Sequence, residues 1–200
     1  GLTYRSEISY KLDGDATFDV PGPAAALQAM NMFVDTDVKA DITVPENVSL
    51  GVSQSLGHGL TVRADLLWTR WSRFEELRIR YSSSQPDSVT VEDWRDAMRY
   101  ALGLDYEHNE KWTFRMGTAY DETPIQDSQH RTPRIPDANR IWLSGGVSYQ
   151  ATKNIGVDAG YTHLFFNNSD TDIVGSTGDR VVGTYEGYAN LFSLQMSYVF

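Results

Sequence analysis

The sequence predicts an all-β fold: an antiparallel transmembrane β-barrel wall of about eight strands. Three observations carry this. First, the chain closes on GYANLFSLQMSYVF (Gly187 to Phe200), in which Tyr188, Phe192, Leu194, Met196, Tyr198 and Phe200 alternate with Gly187, Ala189, Ser193, Gln195 and Ser197. Period-two alternation marks a strand with one apolar and one wet face, and about ten such residues span a membrane in a barrel. Second, similar segments recur along the chain, joined by connections that alternate strictly between long and short. Outer-membrane barrels show this asymmetry, with short periplasmic turns and long outer loops. Third, the polar faces combine Arg, Asp and Gln with Gly. That mixture suits a lumen better than the wetted exterior of a soluble barrel, whose faces would be inverted.

Each element follows from the same pattern. Leu2 to Leu12 alternates Leu2, Tyr4, Ser6, Ile8, Tyr10 and Leu12 with Thr3, Arg5, Glu7, Ser9 and Lys11, and reads as one strand. Asp13 to Lys39 breaks the alternation; Pro21-Gly22-Pro23 leads into Ala24 to Phe33, whose Ala, Leu and Met composition predicts a short helix on a long loop. Ala40 to Leu56 is a strand containing Pro45, which predicts a bulge or the end of a ladder. Gly57-His58-Gly59 predicts a tight turn into Leu60 to Trp71. A second irregular excursion covers Ser82 to Val91. Arg95 to Glu107 and Trp112 to Asp121 are strands joined at His108-Asn109-Glu110. Thr123 to Ala138 is a loop punctuated by Pro124, Pro133 and Pro136. Arg140 to Gln150 and Ile155 to Phe166 form the next hairpin through Thr152-Lys153-Asn154, and Asn167 to Glu186 reads as a long polar loop. This order puts Gly57, Asn109, Lys153 and both termini at the periplasmic end. Trp68, Trp71, Trp94, Trp112, Tyr149 and Tyr198 are candidates for the interfacial aromatic girdles.

Composition narrows the function. A formal charge of −10 leaves no basic stripe to neutralise phosphates, so nucleic acid is excluded as a partner. Cysteine is absent, which removes disulfides, thiol nucleophiles and Cys-ligated metals. No run of about eighteen apolar residues exists to form a membrane helix, but barrel strands hide from that test. The opening GLTYRSEISYK is a strand and not a signal peptide, which implies a removed leader or a longer parent chain.

Several stretches resemble the FadL family of outer-membrane transporters: GLTYRSEI, TVPENVSLGV, LLWTRWSRFEELRI and the terminal aromatic strand. The most specific are Trp112 to Pro124 (WTFRMGTAYDETP) and Arg131 to Ser144 (RTPRIPDANRIWLS). The resemblance covers essentially all 200 residues. It implies residence in the bacterial outer membrane and passive transport of hydrophobic substrates, long-chain fatty acids foremost and aromatic hydrocarbons in some members. It also implies a fourteen-stranded parent barrel, monomeric at full length, of which residues 1–200 are the C-terminal portion, without the N-terminal hatch and early strands. Outer-membrane lipid, lipopolysaccharide and, through the C-terminal aromatic strand, the barrel assembly machinery are the expected partners; no cofactor is implied. By position, the loop Leu12 to Lys39 corresponds to part of the family's outer substrate groove, which makes Leu27, Met30, Met32 and Phe33 candidate acyl-chain contacts.

A fatty acid needs an apolar trough and a cation for its carboxylate. Parity places Arg5, Arg63, Arg99, Arg115 and Arg140 on the lumenal face with Glu7, Asp65, Asp105, Asp121 and Asp158. Arg99, Arg115 and Arg140 are the head-group candidates, since small residues flank each on that face; a self-satisfied Arg–Asp ladder is the alternative. Trp142 and Leu164 are apolar residues on the polar face, and mark a greasy lumenal patch or packing against the hatch. Two other functions stay open: a structural or adhesive barrel, and a barrel lipase built on His163 near Asp158. A lipase needs serine, histidine and acid to converge. Asn167 to Asp172 is oxygen-rich but lacks the glycine and distal glutamate of a calcium loop.

Overall fold

The computed structural model describes residues 1–175 and 178–200. Its frame is an eight-stranded antiparallel sheet in the order β1 (Leu2–Arg5), β4 (Asn47–Gly57), β5 (Leu60–Thr69), β8 (Ala97–Glu107), β9 (Trp112–Asp121), β10 (Arg140–Gln150), β11 (Ile155–Phe166), β14 (Tyr188–Tyr198). Sequence neighbours pair throughout, as an up-and-down barrel wall requires. Among the described residues the sheet is not closed: β14 pairs with β11 alone, and β1 with β4 alone. An eleven-residue strand such as β8 measures about 36 Å, which at a tilt of about 40° covers a hydrocarbon core of about 25–30 Å.

The two faces separate as the alternation predicts. Leu50, Val52, Leu66, Tyr100, Leu102, Phe114, Met116, Leu143, Phe192 and Leu194 stay exposed in a continuous outward belt. Trp112 lies 4.4 Å from Tyr149 ring to ring at the end carrying the short turns, which is a girdle position. Trp71 and Trp94 are not girdle residues. Trp94 is buried, with Trp71 at 5.1 Å and Phe74 at 4.8 Å, inside a cap built at the opposite, outer end.

That cap holds the main departures from the sequence reading. Leu2 to Leu12 is two strands, β1 and β2 (Ile8–Ala16), and Ala40 to Leu56 is divided at Pro45 into β3 (Thr36–Val44) and β4. The ladder ends at Pro45 because proline offers no N–H there. Beyond this joint β2 and β3 leave the wall and join β6 (Glu76–Tyr81) and β7 (Ser88–Val91) in a second sheet, ordered β2-β3-β6-β7. Much of the second excursion is therefore strand. The Asn167 to Glu186 loop likewise contains a hairpin, β12 (Ser169–Val174) with β13 (Arg180–Tyr185). The helix is shorter than predicted, α1 (Ala25–Ala29), and is followed by Asn31 and Phe33 at positive φ. Gly1 sits midway up the wall, its ammonium on the Gly51 carbonyl at 2.6 Å, so only the C-terminus reaches the short-turn end.

Candidate functional site: the lumenal wall and its outer mouth

The inward face of the main sheet is a polar network. In its middle Arg63 donates to Asp105 at 2.7 Å, and Arg115 stands 3.6 Å from the same carboxylate and 3.8 Å from Asp158. Ser148 links Arg115 to Asp158 by hydrogen bonds to both, and Ser49 donates to Asp65 at 3.0 Å. Gly103 lies beside Arg63 and Gly146 beside Arg115 on this face. Arg63 and Arg115 are thus held by Asp105 and Asp158, while Asp65 takes a neutral hydroxyl partner.

Towards the outer end the wall changes character. Arg140 donates to Asp121 at 2.8 Å and to Asp137 at 2.7 Å, and lies over the Phe166 ring. Arg99 has a different partner. Its guanidinium sits 5.1 Å from the centroid of the Trp142 ring, two strands away across Ala119. Trp142 is in register with Leu164, which is buried, so the predicted apolar patch on the polar face exists. Beside Arg99 opens a cavity of about 260 Å³, lined by Leu67, Trp71, Trp94, Ala97, Met98, Pro124 and Ile135 together with Thr69, Asp121, Glu122, Asp137 and Arg140.

The cap positions this mouth. Glu46, just after Pro45, accepts from Arg70 at 3.0 Å and from Arg73 at 2.6 and 3.1 Å, and Arg73 also meets Glu7 at 2.8 Å. The Arg73 hydrogen bonds hold the Glu46 carboxyl down to about 2. Trp94 donates from its indole to the buried Glu92 carboxyl at 3.1 Å; burial pushes that carboxyl up. Arg131 braces the proline-rich loop on the Asp137 and Asp170 carbonyls, and Thr171 returns a hydrogen bond to the Arg131 carbonyl. Glu46, Arg70, Arg73 and Arg131 lie in stretches that carry the resemblance, but nothing in those stretches indicated which residues they would pair with.

The outer-loop candidates occupy a separate place. Leu27 and Met30 lie exposed on or just after α1, while Met32 and Phe33 are half-buried. Phe33 packs edge-on against Phe18 at 5.7 Å, and its N–H donates to Gln85. The wall arginines and this loop patch therefore lie on different parts of the fold. His163 belongs to neither. It points outward, with Nδ1 and the Tyr161 hydroxyl both on the Asn190 amide oxygen at 2.7 Å, while Asp158 faces the lumen with Arg115. The His–Asp pair a lipase would need is thus divided between opposite faces of one sheet. In the oxygen-rich loop, Asp170 accepts from Thr184, and Asp172 takes both arms of Arg180 at 2.6 Å, which lowers the Asp172 carboxyl.

Residues 1–200 match the family model described as outer membrane protein transport protein (OMPP1/FadL/TodX) along their whole length. The chain is 30% identical over 210 residues to the long-chain fatty acid transport protein of Escherichia coli O6:H1, aligning all of this chain with 46% of that one. It is 29% identical to outer membrane protein P1 of Haemophilus influenzae, covering 43% of it. The solved structure of a Pseudomonas aeruginosa FadL homologue superposes with a TM-score of 0.88 at 26% identity, covering 98% of this chain and 48% of that one. The Ralstonia pickettii toluene transporter TbuX shares the fold, with a TM-score of 0.62 at 22% identity, over all of this chain and 43% of the other. The chain spans about half the length of these relatives.

Proposed function

Because this chain belongs to the outer-membrane transport protein family of OMPP1, FadL and TodX, we propose that it forms part of the wall of an outer-membrane passage for hydrophobic molecules, with long-chain fatty acids as the principal substrate. The observation that carries this reading is the inverted sheet, apolar outward and polar inward. An apolar belt faces outward, as lipid requires, while Arg63 and Arg115 pair with carboxylates on the inward face below a mouth lined in part by Trp71, Trp94 and Ile135. The fatty-acid assignment is supported by the named Escherichia coli relative. Capture would begin at the outer loops, on Leu27, Met30, Met32 and Phe33, and continue past Arg99, Arg115, Arg140, Trp142 and Leu164 before release toward the bilayer. The passage would run down a concentration gradient.

The test is uptake of radiolabelled oleate, with toluene in parallel, by a bacterial strain that lacks its own transporter and expresses the full-length protein. Oleate uptake above that of the empty strain is expected. Correctly inserted protein without oleate uptake overturns the proposal, and uptake of toluene alone moves the substrate to aromatic hydrocarbons.

A further inference from the structure

The geometry points to Arg99, laid on Trp142, as a carboxylate station in the lumenal wall that separates ionised from uncharged substrates of the same tail. This rests on the reading above that the wall lines a passage. Four arginines lie on the lumenal face of the inner strands, and three are spoken for: Arg63 by Asp105, Arg115 by Asp105 and Asp158, Arg140 by Asp121 and Asp137. Arg99 has no carboxylate at ion-pair distance among the described residues, although Asp121 is its partner across the ladder, because Asp121 is taken by Arg140. The Arg99 Nε and the Trp142 indole N–H are both buried without a hydrogen-bond partner. Unsatisfied buried donors are costly and rare, and two that share one cation–π contact call for an explanation.

The ring supplies part of it. An arginine over an aromatic face is attracted by the ring's quadrupole, which holds it in place without a carboxylate partner. The terminal nitrogens of the guanidinium form a fork that matches a carboxylate. Ala97, Ala101 and Ala119 leave the surrounding face low enough for a head group to lie there. The adjoining cavity, with Leu67, Met98 and Ile135 on its walls, accommodates the first methylenes of a tail. With Arg63, Arg115 and Arg140 each held by carboxylates, Arg99 offers a carboxylate an unpaired guanidinium beside the mouth.

Equilibrium binding to the purified full-length protein in detergent tests this apart from transport, with oleate and oleyl alcohol as probes of equal tail. Wild type should prefer oleate. Arg99→Gln should cut oleate affinity by about tenfold or more, the worth of a charged hydrogen bond, and leave oleyl alcohol unchanged. Arg99→Lys should recover part of the loss, and Trp142→Leu should lower oleate binding while Trp142→Phe retains most of it. Equal affinity of wild type for the two probes, or equal losses for both in Arg99→Gln, overturns the station and assigns Arg99 to wall packing. The transport reading is judged by uptake alone: an Arg99-dependent preference in protein that imports nothing keeps the station and discards the passage.

Discussion

The two ends of this sheet are built by opposite means. At the short-turn end each connection is a few residues long and satisfied locally. Gly57, His58 and Gly59 all take positive φ, and the Gly59 carbonyl receives the Glu107 N–H at 2.8 Å. Asn109 caps the next turn by accepting from the Lys111 and Trp112 N–H groups, and Thr152 does the same for Asn154 and Ile155. At the outer end the connections are long and satisfied at a distance, as in Glu46 with Arg70 and Arg73, Thr123 with Asn139, and Arg131 with Asp170. Local closure fixes the register of the wall cheaply. Distant closure costs more chain entropy but builds a mouth with side chains from several loops.

The sharpest way to break the first end is Gly59→Val. A Cβ there would stand 2.2 Å from the Glu107 carbonyl oxygen, on a φ of 77° that β-branched residues avoid. We expect a loss of about 3 kcal/mol or more, read as urea unfolding in lipid vesicles. An unchanged midpoint would show that the turn does not govern the wall. Next, Glu46→Ala should free Arg70 and Arg73 and loosen the cap at the Pro45 joint, seen as faster proteolysis of residues 8–44 with the wall strands still protected. Equal cleavage of wall and cap would contradict the division into two regions.

The same carboxyl gives a pH signature. With its folded value lowered to about 2 from an ordinary 4.5, Glu46 stabilises the cap fully above about pH 4.5. That contribution fades as pH falls from there toward 2. Glu46→Gln should flatten the cap's acid sensitivity in this window, measured by proteolysis against pH.

Between the ends, Asp105→Ala should cost about 1–2 kcal/mol, because it strands Arg63 and Arg115 in a partly exposed lumen. Arg99→Gln should cost less than about 1 kcal/mol, since it removes only a ring contact. Comparing these two unfolding midpoints sharpens the contrast between the saturated middle of the wall and its mouth; an Arg99 effect larger than that of Asp105 would reverse it.

Much of this was legible in the residues. The alternation located β9, β10 and β11 with their observed limits, because a strand with lipid on one side and a polar lumen on the other must alternate strictly. It also placed Trp142, Leu164 and the arginines on the inner face, since face follows from parity once register is set. The Gly57, Asn109 and Thr152 turns were readable for the same reason: their hydrogen bonds lie within a few residues.

The cap was not legible. Glu76–Tyr81 and Ser88–Val91 are strands because β3 stands beside β6 and β6 beside β7, and Trp94 is buried because Trp71, Phe74 and Glu92 meet it from other parts of the loop. Which arginine lacked a carboxylate was equally beyond the sequence. Arg99, Arg115 and Arg140 share parity and small neighbours, and only the folded arrangement awarded Asp121 to Arg140 and left Arg99 to Trp142. The sequence by itself determined the membrane-facing sheet, because a period of two is a property of each strand alone. The tertiary structure decided the mouth, because competition among charges for partners is settled only when distant strands and loops are brought within hydrogen-bonding reach.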